Sequence, residues 1–471
     1  MRRSLNELTE CKCIDSYSSF VSKSSDRFRW IFCQLEVLRD CLPSSVRRTL
    51  NELPESLDET YERILKEIKK PNRAVARRVL QCLVVATRPL RVAELAEVLA
   101  VNFDAEEIPR LNPGWRWEDK EQALLIACSS LIAIVEAGDI EADDSRVVQF
   151  SHFSVKEFLT SSRLATASGE VSNYYIDLEP AHTILAQTCL GVLLQTQDGI
   201  EGHTPEDYPP ARYAAEHWSN HAQFGEVSSR LQKGMEYLFD PDRPHFKVWL
   251  KLYDIDTSPD YGETFFWFIS SPKSPAAPLY YASLCGFHDL VKHLITKYPR
   301  DVNADGGYCM RPILAALKGG HFHVADLLRH NGADPHVRGR YENSPLHAAA
   351  YSGNLEVVRK LIEYGADINA RDDEGGTPLF DASDSVYFKG AGDPMLRLLL
   401  EHGGDVNARK EDGQTLLHWA SANGALEVVR LLIEHGADVE PKDNYGKTAL
   451  QYAAARRFDE VMKLLREHGA K

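Results

Sequence analysis

The 471-residue chain lacks the features that mark several function classes. It has no excess of positive charge. The formal net charge is −15, so neither nucleic acid nor an anionic membrane surface is expected as the main partner. No apolar run approaches about 18 residues, so no bilayer-spanning helix is expected. Met1-Arg2-Arg3 is basic, but Asn6, Glu7, Glu10 and Lys12 interrupt any apolar stretch behind it, so no signal peptide is expected. A phosphate-cradling Gly-x4-Gly-Lys-[Ser/Thr] loop is missing. The nearest triplet is Gly446-Lys447-Thr448, and position 441, where the first glycine would stand, is Pro441. No Gly-x-Ser-x-Gly stretch offers a strand-to-helix serine nucleophile. The nine cysteines are odd in number, and most sit in apolar helical phrases such as Leu80-Gln81-Cys82-Leu83. That usage fits reduced, buried thiols in a cytoplasmic protein. Cys11, Cys13, Cys33 and Cys41 could supply four metal ligands, but their spacing fits no zinc pattern. No cofactor is expected.

What the chain does have is one phrase, repeated. The clearest copy reads Ser344-Pro345-Leu346-His347-Ala348-Ala349-Ala350, then Gly353, Val357-Val358, Leu361-Ile362 and Gly365-Ala366-Asp367. It returns at Thr377-Pro378-Leu379, Thr415-Leu416-Leu417-His418 and Thr448-Ala449-Leu450, and more faintly at Arg311-Pro312-Ile313 and Ala277-Pro278-Leu279. The proline-equivalent positions 278, 312, 345, 378, 416 and 449 are spaced by 34, 33, 33, 38 and 33 residues. A 33-residue period with this phrase resembles ankyrin repeats, here six over 274–471. Ser344 or Thr377 stands where an N-cap oxygen is needed. Proline is pre-set for the first helical turn. The apolar pairs at i, i+1, i+4 and i+5 give one buried helix face. Gly365 supplies the left-handed residue that ends the second helix. One such unit cannot bury its apolar face alone, so neighbours must stack. The fourth unit gains about five residues between Ser385 and Met395, including Val386, Tyr387, Phe388 and Lys389, read as an inserted loop. The last has Arg456-Arg457 where glycine would end its first helix, and a polar face suited to a terminal cap.

Upstream, residues 1–25 are polar and Ser-rich and read as a flexible lead-in, or as a start site inside a longer gene. Helical phrasing begins at Phe28, Ile31, Leu35, Leu38 and Leu42. Ser56-Leu57-Asp58-Glu59 has the form of a capping box, and Leu57, Tyr61, Ile64, Leu65 and Ile68 form an apolar stripe. Arg63, Lys66, Lys69, Lys70, Arg73, Arg77 and Arg78 read as a solvated helix face. Helices are expected over 76–84, from Val92 to Leu99, and over 121–129. Leu131–Val135 and Val147–Phe150 read as a β-hairpin. Three helices and a hairpin describe a winged helix over 71–165. Residues 166–273 read as a helical connector, with helices near Ala181–Val192 and Ala211–Ala222 and aromatic core at Trp249, Leu250 and Phe265-Phe266-Trp267.

The strings Phe28-Arg29-Trp30, Leu53-Pro54-Glu55-Ser56-Leu57-Asp58-Glu59-Thr60-Tyr61, Arg88-Pro89-Leu90, Glu94-Leu95-Ala96-Glu97 and Ser151-His152-Phe153-Ser154-Val155-Lys156-Glu157-Phe158-Leu159 resemble fungal NACHT–ankyrin proteins. These are signal-transduction ATPases with numerous domains, relatives of the nucleotide-binding immune receptors. Residues 26–70 then correspond to the helical segment after the nucleotide-binding core. Residues 71–165 correspond to a winged helix often named after a GPI inositol deacylase, a name that implies no lipase activity here. The ATPase core would lie N-terminal to residue 26, where this chain has no room for it. In such relatives the histidine of a Phe-x-His-x-Ser-x-x-Glu-Phe phrase touches the β-phosphate of ADP. Phe150, His152, Ser154, Glu157 and Phe158 match that phrase, which makes His152 a remnant nucleotide contact. Its plain alternative is a packed, hydrogen-bonded histidine.

Other chemistry is weighed and set aside. A winged helix can bind DNA, but Glu136, Asp139, Glu141, Asp143 and Asp144 on the expected wing would be repelled by phosphates. His217 and His221 are four apart on a helix, but no third metal ligand is evident, and a surface or core role is preferred. By the register of ankyrin arrays, the partner-binding tips would hold Arg340, Tyr341, Asn343, Asp373, Glu374, Glu411, Asn444, Tyr445 and Lys447. The first-helix positions on the concave face would hold Lys318, Tyr351, Asp384, Asn423 and Arg456. Trp419 is assigned to the core between repeats.

The expected architecture is mainly α: a winged-helix domain, a helical connector and a six-repeat ankyrin solenoid. The expected role is a non-enzymatic scaffold or sensor. Its repeats would bind a partner protein, and its winged-helix half would regulate a switch whose ATPase core is absent from the chain. The alternative is the C-terminal part of a NACHT-type ATPase, an immune or heterokaryon-incompatibility-like receptor. A DNA-binding winged helix ranks below both.

Overall fold

The computed structural model describes residues 56–103, 110–128, 130–136, 146–195, 209–257, 276–338, 343–389 and 392–471. The cysteines at 11, 13, 33 and 41, the helical phrase from Phe28, the wing residues Asp139 to Asp144, the aromatic run at 265–267, and Arg340 and Tyr341 lie outside them. The chain gathers into two compact units. The first holds 56–238 with Lys247–Tyr253, and the second holds Phe239–Phe246 with 254–471. Among the described residues no helix is long and apolar enough to cross a membrane.

In the first unit Ser56 caps α1 (Leu57–Glu67), its hydroxyl accepting the Glu59 amide at 3.2 Å. Pro71 interrupts the chain in a short 3₁₀ turn, and α2 (Arg73–Val85) follows with one side buried. Strand β1 (Leu90–Arg91) leads into α3 (Val92–Glu97). The strands β2 (Val101–Asn102) and β3 (Arg110–Leu111) pair antiparallel, and α4 (Lys120–Cys128) completes the three helices. The expected hairpin is present as β4 (Ile132–Glu136) and β5 (Arg146–Phe150), with Ile134 opposite Val148. β5 also pairs with β1, giving the order β1-β5-β4. The Arg88-Pro89-Leu90 phrase has a structural job. The Arg88 guanidinium grips Glu94 with two bonds, at 2.9 and 2.7 Å, while Glu94 also accepts the Arg91 amide at 2.8 Å. A buried carboxylate held this way fixes the start of α3. Then come α5 (Phe153–Leu159), α6 (Ser162–Ala165), α7 (Leu178–Gln195), α8 (Pro209–Ala222), α9 (Val227–Arg230) and α10 (Gln232–Leu238). α11 (His245–Leu252) brings Trp249 into this core, its indole N–H donating to the Ala215 carbonyl at 2.9 Å and its ring edge-on to Trp218.

The second unit is built of helix pairs: α12 (Pro278–Leu284) with α13 (His288–Lys297), α14 (Pro312–Lys318) with α15 (Phe322–His330), α16 (Pro345–Ser352) with α17 (Leu355–Glu363), α18 (Pro378–Lys389) with α19 (Gly392–Glu401), α20 (Leu416–Ala422) with α21 (Leu426–Glu434), and α22 (Ala449–Arg456) with α23 (Asp459–Glu467). The histidine of the repeated phrase explains its place. At Ser344 and at Thr415 the backbone amide donates to the Nδ1 of the histidine three residues on, at 3.1 Å in each case. Nδ1 is therefore unprotonated, and the proton sits on Nε2. From His418, Nε2 donates across to the carbonyls of Pro441 (3.0 Å) and Lys447 (3.2 Å). One ring thus caps its own helix and stitches the next pair to it.

Two expectations are corrected. The added residues of the fourth unit form no loop up to Lys389: α18 simply runs on to that residue. No glycine stands where Gly353 and Gly424 end the neighbouring first helices, so nothing stops it. Trp419 is half-buried rather than a core residue.

Candidate functional site

Two of the turns that join successive pairs are each organised by one aspartate. The Asp372 carboxylate accepts the amides of Glu374 and Gly376, and the Asp443 carboxylate those of Tyr445 and Lys447. Gly375, Gly413 and Gly446 take left-handed backbone at the same point of each turn. Gly446-Lys447-Thr448 is therefore a turn leading into a helix cap, with Thr448 facing Gln451. Neighbouring turns are bonded together: the Glu411 amide donates to the Glu374 carbonyl at 2.9 Å, and the Asn444 amide to the Asp412 carbonyl at 3.0 Å. The result is a firm ridge on which Asp373, Glu374, Glu411, Asn444 and Lys447 are exposed, and Tyr445 is 73 % exposed. An exposed aromatic and charges on a firmly bonded backbone suit protein recognition, because little backbone entropy remains to be lost.

The first-helix residues divide. Tyr351 and Asn423 are half-buried and Arg456 is exposed, its guanidinium 3.4 Å from the Asn423 side-chain oxygen. Asp384 lies on α18, but its side chain is outside the described residues. Two assignments fail. Asn343 is only 6 % exposed, so it is no tip contact. Lys318 is enclosed too: its ammonium lies 3.4 Å from Asp256, with side-chain exposures of 4 % and 1 %. Asp256 also accepts the Tyr280 hydroxyl at 2.8 Å and the Tyr308 amide at 2.6 Å. The sequence pattern places Lys318 on the recognition face, but a residue from outside the repeats folds over it. Nothing in the repeat phrase signals Asp256.

In the first unit His152 is the N-cap of α5. Its Nδ1 lies 2.6 Å from the Ser154 hydroxyl and accepts the Ser154 amide at 3.3 Å. Ser154 in turn lies 2.9 Å from the buried Tyr61 hydroxyl. The His152 ring packs on the exposed Phe153 at 4.2 Å. His221 is buried between Tyr213, whose hydroxyl is 3.0 Å from Nε2, and His182, whose Nδ1 is 2.9 Å from its own Nδ1. Burial, with His182 and His217 nearby, pushes its pKa down to about 3. Among the described residues no group of three or more His, Cys, Asp or Glu could hold a metal ion.

Two family models match the chain. Residues 61–170 match the GPI inositol-deacylase winged helix domain, a domain type associated with NACHT proteins. Residues 312–408 and 385–471 match ankyrin repeats (three copies). The chain is also similar to azaphilone pigments biosynthesis cluster protein L of Monascus ruber, 31 % identical over 285 residues. The match covers 58 % of this chain and 58 % of that protein, so the chain spans a little over half the length of the curated relative. The chain thus joins a segment similar to the GPI inositol-deacylase winged helix to an array similar to ankyrin repeats, whose general use is protein–protein binding.

Proposed function

We propose that the chain is a non-enzymatic protein-binding scaffold whose helix-pair array captures a partner protein and whose winged-helix half couples capture to a NACHT-type ATPase switch supplied outside residues 1–471. The observation that carries this reading is the ridge of bonded turns with Asp373, Glu374, Glu411, Asn444, Tyr445 and Lys447 on its outside. The helix α4, which in a DNA-binding winged helix would enter the major groove, carries Leu125 and Ile126 exposed, beside Glu121 and Gln122. That face suits protein better than nucleic acid. The test is affinity capture with the full chain against a Tyr351→Asp, Tyr445→Asp double variant of unchanged circular dichroism. Loss of the specific partners supports the reading, and unchanged capture removes the array face from it.

A second reading, the regulatory end of a NACHT-type ATPase, is favoured by His152. Its Nδ1 is taken by Ser154, which leaves Nε2 without a hydrogen-bond partner among the described residues. In this reading Nε2 meets the β-phosphate of ADP held mainly by a core that lies outside residues 1–471. Calorimetry with ADP should give no heat with residues 1–471 alone. Binding by this chain alone would overturn the scaffold reading and make the chain itself a nucleotide-binding protein.

A further inference from the structure

Side chains that cross from one helix pair to the next recur at fixed positions, and they can be followed junction by junction. The first kind lies after each second helix. Asn303 donates to the Gly332 carbonyl at 2.8 Å and accepts the Asp334 amide at 2.8 Å. Asn369 does the same with Gly403 (3.0 Å) and Asp405 (2.7 Å). Asn407 does so with Gly436 (3.4 Å) and Asp438 (2.9 Å). At the last junction Glu440 accepts the Lys471 amide. The position between the second and third pairs is His336, whose exposed ring makes no such bond among the described residues. The second kind starts from the first helix. The Tyr280 hydroxyl accepts the Cys309 amide at 3.0 Å, and His347 and His418 reach the carbonyls of the following turn. In the second pair this position is Leu314, which has no polar atom to offer.

Among the described residues the junction between the second and third pairs therefore lacks both stitches. It also holds a defect: the Asn343 side-chain oxygen is buried and finds no partner among the described residues. An oxygen left unsatisfied in this way weakens the junction. What closes the junction instead lies on the second helices. The Tyr364 hydroxyl donates to Asp326 at 2.7 Å, Lys360 lies 3.3 Å from the same carboxylate, and the Arg329 guanidinium stacks on the Tyr364 ring at 4.8 Å. Arg338 adds one bond to the Arg371 carbonyl at 2.7 Å.

We propose that the array is built to flex at this one place, between α14–α15 and α16–α17, with Asp326 as the clasp that Tyr364 and Lys360 close. In a solenoid each unit touches only its neighbours, so the stability of the array is a sum over junctions and opens at the weakest one. Opening here would change the angle between the first two pairs and the four that carry the ridge of turns, and with it the surface a partner meets. This deepens the scaffold reading without depending on the identity of the partner.

Hydrogen exchange of the full chain, followed by mass spectrometry, tests it. In the wild type, peptides from 312–330 and 345–352 should exchange faster than those from 416–434. Asp326→Ala should speed exchange in 312–330 and 345–363 about tenfold and leave 416–467 unchanged. His336→Asn supplies the missing stitch and should slow exchange in the same peptides, in the wild type and in the Asp326→Ala background. Equal loss of protection along the whole array, or no change with either variant, would overturn the clasp. A global loss would mean that the array opens as one unit, and failure of the scaffold reading in the capture experiment would leave these exchange results intact.

Discussion

The Lys318 ammonium and the Asp256 carboxylate lie 3.4 Å apart and are closed off from solvent together. The two residues are 62 positions apart, and the carboxylate also accepts from Tyr280 and from the Tyr308 backbone. A pair desolvated to this degree is worth little against an apolar replacement of both partners, but removing one leaves an uncompensated charge. Lys318→Met is therefore expected to destabilise the second unit by about 3–5 kcal/mol. Urea denaturation checks this, and a loss below about 1 kcal/mol would show that the pair is open to water. The same contact means that the array should not be cut at residue 274, since Asp256 and Ile255 belong to its buried end.

Thr415 and Thr377 occupy the same position in the repeated phrase but differ in what faces them. Thr415 meets His418, while Thr377 meets Phe380, and the buried Thr377 hydroxyl finds no partner among the described residues. Thr415→Val removes the hydroxyl bonded to His418 Nδ1 at 2.9 Å and should cost about 0.5–1.5 kcal/mol. Thr377→Val removes an unsatisfied hydroxyl and should be neutral or stabilising. Thermal unfolding of the two variants side by side decides this, and equal costs would contradict the difference in their surroundings.

Arg457 is a non-glycine residue in left-handed backbone, with φ of 60°, at the position where Gly353 closes an earlier first helix. Holding a branched-off side chain there costs about 1 kcal/mol. Arg457→Gly is expected to raise stability by about 0.5–1 kcal/mol, the loss of unfolded-state restriction offsetting part of the gain. A lowered midpoint in urea would show that the arginine makes a compensating contact.

The stability of the fold should fall with acid. Burial holds His347 and His418 below the ordinary histidine range, and their Nδ1 atoms must stay unprotonated to accept the cap amides. His221, at about 3, titrates in the same direction. In the unfolded chain these rings bind protons near pH 6.5, so below that pH the unfolded state takes up protons that the folded state refuses. The contribution is complete above about pH 6.5 and is lost as pH falls toward the folded values, by at most about 1.4 kcal/mol per pH unit for each histidine. At the last pair Gln451 fills the position of His418, and Thr448 donates its amide to the Gln451 side-chain oxygen at 3.2 Å. His418→Gln should keep the cap and lessen the slope of stability against pH below about 6.5. An unchanged slope would mean that His418 is protonated in the folded state.

The helix pairs, their caps and the winged-helix core were legible because each is specified by neighbours in sequence. Pro345 and Gly353 mark the ends of one helix, Val357 and Leu361 share one of its partner's faces, and Ile134 and Val148 sit in two short β-rich runs that pair. The candidate ridge was legible for the same reason, since Asp443, Gly446 and Thr448 form a local turn-and-cap sentence. The extension of α18 was missed because a length anomaly says how many residues are added and not what conformation they take.

By itself, then, the sequence determined the elements, their period and the order of two kinds of module. Local hydrogen bonds and apolar periodicity carry that information within a span of a few residues. Only the tertiary structure decided which polar residues of the register are available to a partner. Asp256 reaches Lys318 from outside the repeats, Asn343 is buried at a junction, and Asp326 closes that junction through Tyr364. Each of these depends on residues tens of positions apart meeting in space, and no periodic pattern along the chain encodes which of two equivalent lysines or asparagines will be covered.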